Sequence, residues 1–149
     1  MSLSDTLGIV KPDALGRGKA GRIIAHLEEA GFQVVAARVT RLGRLEAEAF
    51  YAVHRERPFF ASLVEFMTSG PCMALLLRRE NAVAHLREVI GATDPAEAEA
   101  GTIRALYAES TERNAIHASD SPANAEIEIG FFFTGCERLL AHESSDVLD

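Results

Sequence analysis

Hydrophobic and polar positions alternate with two different periods along this chain, and the changes of period predict its elements. Thr6 to Val10 is a short β-type run ended by Lys11-Pro12-Asp13, which predicts a first strand. Ile23, Ile24, Leu27 and Ala30 recur at helical spacing until Gly31 stops them. Val35, Ala37 and Val39 alternate with Val34, Ala36 and Arg38, a second strand. Leu45, Ala49 and Val53 predict the apolar stripe of a helix that carries Tyr51 and ends near Arg55-Glu56-Arg57-Pro58. Phe59, Phe60, Leu63, Phe66 and Met67 predict the next helix, and Ser69-Gly70-Pro71 breaks the chain. Cys72 to Leu77 is an unbroken apolar run, as in a strand buried on both faces. Asn81 is placed to cap a helix with Val83, Leu86 and Ile90 inward, stopped by Gly91. From Ala92 to Asn114 no period is clear, and a connection of that length in a compact domain is commonly functional. Ala115 and Ile116 lead into His117 as a short strand. Ser121 is the N-cap and Pro122 the first residue of a last helix, with Ala125, Ile129 and Phe132 inward. Residues 135–149 read as a tail with one final turn at Glu137 to Leu140.

Four short strands with helices between them predict an α+β chain. The arrangement is a ferredoxin-like βαββαβ sandwich, a four-stranded antiparallel sheet covered by helices. A doubly wound parallel sheet is the alternative, made less attractive by the short turn without glycine after the first strand. At 149 residues, with no internal repeat, the chain reads as one domain over residues 1–149.

Charge narrows the partners. The net charge is −7, so duplex nucleic acid is not the obvious partner, and no specific nucleic-acid contact is expected. A small anion can still be held by a local basic cluster. Cys72 and Cys136 form neither a metal spacing nor a disulfide framework, which fits a reducing cytoplasm. There is no signal-peptide pattern and no apolar run of membrane-spanning length, so no membrane association is expected.

One stretch gathers the chemistry: Asn114-Ala115-Ile116-His117-Ala118-Ser119-Asp120-Ser121. His117 stands at a strand end just before a helix N-terminus, where free backbone donors and the helix dipole suit a phosphate. Imidazole is nucleophilic near neutral pH, with an ordinary pKa of about 6.5. A lone histidine in a turn is most often only a surface residue. Glu128 raises this one, because it lies three residues after Ala125 on the inward stripe. A carboxylate on an apolar face needs a partner, and His117 is the nearest in sequence. Lys11, held at a strand end by Pro12, is a candidate for the edge of the site. Phe59 and Phe60 are core or, for one of them, a stacking surface for a flat ligand. The long loop supplies Thr93, Arg104, Arg113 and Asn114, groups suited to phosphate and ribose. Gly16-Arg17-Gly18-Lys19-Ala20-Gly21 matches the dinucleotide G-x-G-x-x-G spelling, but it starts too far from the strand end. It also lacks an acidic residue about 20 positions on, so a plain glycine-rich loop is the better reading.

These pieces together resemble the nucleoside diphosphate kinase family from Thr6 to Phe133. The resemblance is carried by Ile9-Val10-Lys11-Pro12-Asp13-Ala14, Arg57-Pro58-Phe59-Phe60, Glu65-Phe66-Met67-Thr68-Ser69-Gly70-Pro71, Gly91-Ala92-Thr93-Asp94-Pro95, Gly101-Thr102-Ile103-Arg104 and the histidine stretch with Glu128. It implies the ferredoxin-like fold and a ping-pong exchange of the γ-phosphoryl group between nucleoside tri- and diphosphates through a phosphohistidine at His117. By the resemblance, His117 attacks through Nδ1, Glu128 accepts from the other ring nitrogen, and Ser119 supports Glu128. Lys11 meets phosphate and ribose, and Tyr51 orients Lys11. Arg87, Thr93 and Arg104 hold the β- and γ-phosphates, Asn114 the sugar, and Phe59 stacks on the base. Magnesium is carried on the nucleotide phosphates with no protein metal site, and the chain is a homo-oligomer.

Four places depart from the family pattern. Ala118 stands where glycine is usual, and Ala105-Leu106-Tyr107 lacks the usual aspartate. Arg78-Arg79 replaces an acidic-glycine pair, and Ile127 replaces a basic residue beside Glu128. None removes a residue of the chemistry. Two other functions compete. A histidine relay to another protein does not need the nucleotide set Lys11, Arg87, Thr93, Arg104 and Asn114, which is complete here. A nucleotide sensor without activity is expected to have lost His117.

Overall fold

The computed structural model describes residues 2–139. Four strands, β1 (Leu3–Val10), β2 (Gln33–Thr40), β3 (Cys72–Glu80) and β4 (Ile116–Ala118), form one sheet in the order β2-β3-β1-β4. Every neighbouring pair is antiparallel. The helices are α1 (Pro12–Gly16), α2 (Ala20–Glu29), α3 (Arg44–Phe50), α4 (Phe60–Met67), α5 (Ala82–Ile90), α6 (Ile103–Tyr107) and α7 (Pro122–Phe132), with a 3₁₀ turn at Ala52–His54. Residues 135–139 are again helical, and the rest of the expected tail lies outside the described residues. This is the expected ferredoxin-like sandwich, with α2 and α5 as the crossover helices of its two βαβ halves.

Strand alternation sorts the core into two layers. Leu7, Ile9, Ala74 and Leu76 face Ala47 of α3, Leu63, Val64 and Met67 of α4, and Ile129 and Phe132 of α7. Val10, Leu75, Leu77 and Ile116 face Ile23 and Leu27 of α2, Leu86 and Ile90 of α5 and Ile103 of α6. The sheet is therefore covered on both sides, which is why β3 reads as a continuous apolar run.

The stripe expected at Leu45, Ala49 and Val53 is corrected. Leu45 is 82% and Val53 77% exposed, while Ala47 and Tyr51 are buried. The helix ends at Phe50 and turns its small Ala47 and its aromatic end toward the sheet. Two further differences come from local capping. Pro12 at the first helical position starts α1 directly after β1, so the expected short turn is a turn of helix. Thr102 caps α6 by accepting from Ala105 N–H at 3.3 Å, putting a helical turn inside the long connection. Asn81 precedes α5 in the left-handed region, with φ 51°, and its side chain makes no capping bond. Ser121 does cap α7, its Oγ accepting from Asn124 N–H at 3.1 Å.

Two departures are accounted for by packing. Buried Arg78 is ion-paired with half-buried Asp5 at 2.7 Å, and Arg79 donates to the Ala30 carbonyl and lies over the Phe32 ring. Ala118 needs no glycine, because it sits in extended strand paired with Gly8.

Candidate active site

β4 carries His117 at the edge of the sheet, opposite Ile9 of β1. Its neighbours Ile116 and Ala118 point into the α2–α5 layer, so His117 points to the other side, toward α3 and α7. There its ring meets Phe50 at 5.3 Å and Tyr51 at 5.9 Å, both edge-on. Helical periodicity brings Glu128 to the same place from α7. Its Oε1 lies 2.6 Å from His117 Nε2 and accepts a second bond from Ser119 Oγ at 2.9 Å. A carboxylate only accepts, so Nε2 carries the proton and Nδ1 keeps a free lone pair. Burial holds the imidazole below its ordinary pKa. Glu128 opposes that shift, and the nearby cations Lys11 and Arg104 add to it. The ring is therefore neutral near pH 7.

Lys11 follows β1 as the residue before α1 and is buried. Its Nζ donates to Asn114 Oδ1 at 2.9 Å, and Asn114 Nδ2 donates to the Thr93 carbonyl at 3.2 Å. Burial, together with the charge of Arg104, pushes the Lys11 ammonium down to about 8. Arg104 is buried in α6 and donates to the carbonyls of Gly91 at 3.1 Å and Ile116 at 2.8 Å. Its Nε is buried without a hydrogen-bond partner among the described residues. Burial and the neighbouring Arg87 push its guanidinium down to about 10. Arg87 is exposed on α5, near enough also to hold the Asp120 carboxyl below its usual range, an effect second to the Asn124 hydrogen bond. Arg104 thus acts on Lys11 and Arg87 on Arg104, and this local gathering of positive charge suits a polyanion.

The remaining expected residues form a ring series. Phe59, 47% exposed, lies 5.4 Å from the ring of His54, which stacks at 6.4 Å on Tyr51, which meets His117. Phe59 is therefore a half-exposed ring joined to His117 through His54 and Tyr51. Tyr51 is buried, and its hydroxyl has no hydrogen-bond partner among the described residues. Burial raises its pKa far above the ordinary value. The Lys11 ammonium bonds to Asn114, and no bond from Tyr51 reaches it. Thr93 is exposed at the start of the long connection. Among the described residues, no three His, Cys, Asp or Glu side chains converge to hold a metal. No helix there is long and apolar enough to cross a membrane.

Two neighbours of the site escaped the sequence reading. Phe50 packs on His117, but its aromatic ring carries no polar signal. Asp13 is buried next to Lys11 and accepts from Ala115 N–H through Oδ2 at 3.1 Å. The two residues are 102 positions apart, so only the fold brings them together.

Comparison with known proteins places this geometry among relatives. A family model described as nucleoside diphosphate kinase matches residues 4–138. A nucleoside diphosphate kinase of Nitrosomonas europaea is 56% identical over 137 residues, which cover 92% of this chain and 97% of that protein. One from Anaeromyxobacter dehalogenans is 54% identical over 133 residues, covering 89% of this chain and 90% of its own. The crystal structure of the Aquifex aeolicus nucleoside diphosphate kinase superposes with a TM-score of 0.89 at 47% identity, covering 91% of this chain and 99% of that one. A Halobacterium salinarum nucleoside diphosphate kinase in complex with CDP gives 0.88 at 38% identity, covering 91% of both chains.

Proposed function

This chain belongs to the nucleoside diphosphate kinase family, and from that we propose that it moves the γ-phosphoryl group of a nucleoside triphosphate to a nucleoside diphosphate, by a ping-pong route through a phosphohistidine at His117. The observation that carries the reading is the 2.6 Å contact between Glu128 and His117 Nε2. It leaves Nδ1 as the one ring nitrogen with a lone pair to attack phosphorus.

In the first half-reaction Nδ1 forms a bond to the γ-phosphorus while the bond to the bridging oxygen breaks and the diphosphate leaves. The ring gains positive charge, which Glu128 balances while Ser119 holds the carboxylate in place. In the second half a new diphosphate attacks the phosphohistidine, and the same contacts operate in reverse. Phosphoryl transfer asks mainly for positioning and neutralisation of charge, and a covalent intermediate divides it into two easier steps. Lys11, Arg87 and Arg104 supply the positive charge, with Thr93 beside the β- and γ-phosphates and Asn114 at the sugar. Magnesium enters as part of the substrate, carried on the phosphates. Phe59 stacks on the base, a contact every base can make, so purine and pyrimidine nucleotides are both accepted. We take Tyr51 to set the position of Lys11 by packing.

We read residues 1–149 as a single domain and the active form as a homo-oligomer. A reducing cytoplasm is the proposed location, supported by two free cysteines, Cys72 buried and Cys136 exposed. Initial rates of phosphate exchange from ATP to dTDP test the proposal. A ping-pong route gives parallel double-reciprocal lines at several dTDP concentrations, and intersecting lines would require both nucleotides to be bound at once.

A further inference from the structure

The backbone turns sharply two residues before His117. Ile116 N–H donates to the Asn114 carbonyl at 2.9 Å across Ala115, whose φ is +75°. That is the positive-φ γ-turn, rare and strained for an L residue. Ala115 is fully buried, so water cannot serve its peptide groups. Two neighbours hold it. Lys11 N–H donates to the Ala115 carbonyl at 2.8 Å, and Asp13 Oδ2 accepts from Ala115 N–H at 3.1 Å.

The clamp comes from an unusual residue to bury. Asp13 is 7% exposed, and its Oδ1 is buried with no hydrogen-bond partner among the described residues. Desolvation of a carboxylate is unfavourable; the backbone N–H of Ala115 at the strained turn is the strongest contact that offsets it, with Lys11, the Ala14 backbone N–H and Arg17 Nη2, 4.0 Å from Oδ2, adding to it. The groups on either side of Ala115 belong to the site: Asn114 holds the Lys11 ammonium, the Ile116 carbonyl receives Arg104, and His117 follows.

We propose that Asp13 is a positioning residue for phosphoryl transfer: its carboxylate holds the strained turn at Ala115, and the turn aims His117 and Asn114. Without the acceptor, Ala115 relaxes toward negative φ, and the strand that presents His117 rotates with it. Strain of this kind persists only where the surroundings over-determine it.

Asp13 also lies close enough to Lys11 for their charges to interact, and its Oδ2 is 4.0 Å from Arg17 Nη2, so a counter-ion role must be separated from a clamp. Three variants do this, read by single-turnover phosphorylation of His117 at saturating ATP together with thermal melting. Asp13→Asn keeps an oxygen acceptor but loses the charge, and its rate stays within about threefold of the parent, since a neutral acceptor still serves the N–H. Asp13→Ala slows the step by about tenfold or more. Ala115→Gly added to Asp13→Ala recovers most of that rate, because glycine adopts positive φ without strain. If Asp13→Ala does not fold, the added glycine must restore a folded protein that labels.

Three results would overturn the proposal. One is Asp13→Asn as slow as Asp13→Ala, which would make the charge the point. Another is a double variant no better than Asp13→Ala in rate or folding. The third is Asp13→Ala with a lower melting temperature but an unchanged rate. The inference rests on His117 being the phosphorylated residue. An unlabelled parent protein would defeat that reading, whereas a labelled parent with an indifferent Asp13→Ala would defeat only this one.

Discussion

A carboxylate 2.6 Å from Nε2 fixes which nitrogen of His117 is free and supports the charge that grows on the ring during attack. Glu128→Gln keeps the shape and loses the charge. The expected result is slower phosphorylation by ATP in a single turnover, nucleotide affinity little changed, and an intact fold. One charge-assisted hydrogen bond is worth roughly 1.5–3 kcal/mol, or about ten- to a hundredfold in rate. An unchanged rate would leave Glu128 as a satisfied core carboxylate. The pH profile of kcat/KM reports the free enzyme and should have two limbs. On the acid side activity falls as the ring protonates, with an apparent pKa below the ordinary histidine value because burial lowers it. On the alkaline side Lys11, depressed to about 8 by burial, is cationic below that pH and neutral above it, so kcat/KM falls as the pH rises through about 8. Lys11→Arg keeps its charge throughout that range and should abolish the alkaline limb. The same limb in Lys11→Arg would assign it to another group.

At the scale of elements, the connection after α5 is held by small contacts that a propensity reading does not detect. Gly91 has φ +88°, and a Cβ there would come within 2.5 Å of Thr102 Oγ1. The Gly91 carbonyl also receives Arg104. Gly91→Ala should therefore do two things at once. It should destabilise the fold by the cost of a strained backbone, about 1–3 kcal/mol, seen as a lower melting temperature, and raise KM as Arg104 loses its seat. A variant with parental stability and parental KM would show that the connection has room to spare. The elements with strong periods were legible from the residues alone, including α7, whose stripe gave away Glu128. Three features were not. α1 depends on a proline at its first position, α6 on the Thr102 cap, and the orientation of α3 on a small alanine being the residue that fits against the sheet. In the site, Lys11 and Asn114 were legible as types, but the bond between them joins positions 103 apart. Asp13 was hidden for the same reason, because its partner is a backbone N–H that no sequence pattern marks.

For the whole molecule, the surface supports the proposed homo-oligomer. Among the described residues β2 is an eight-residue edge strand with Val39 57% exposed, and an edge strand is a template for pairing with another chain. Leu45 and Val53 leave further apolar surface uncovered. Light scattering at micromolar concentration should give a mass that is a multiple of the 16.1 kDa chain, and a monomer mass would contradict the proposal. The two-layered core explains how one sheet serves the chemistry. The layer behind β4 anchors Ile116 and Ala118, and the layer in front holds Glu128 and the rings around His117. The measurement that tests the central claim most directly is incubation with γ-labelled ATP and magnesium, then a chase with GDP, on the parent chain and on His117→Ala. The expected result is an acid-labile, base-stable label on the parent alone, discharged by GDP as labelled GTP. A label retained by His117→Ala, or one that GDP does not remove, would contradict it.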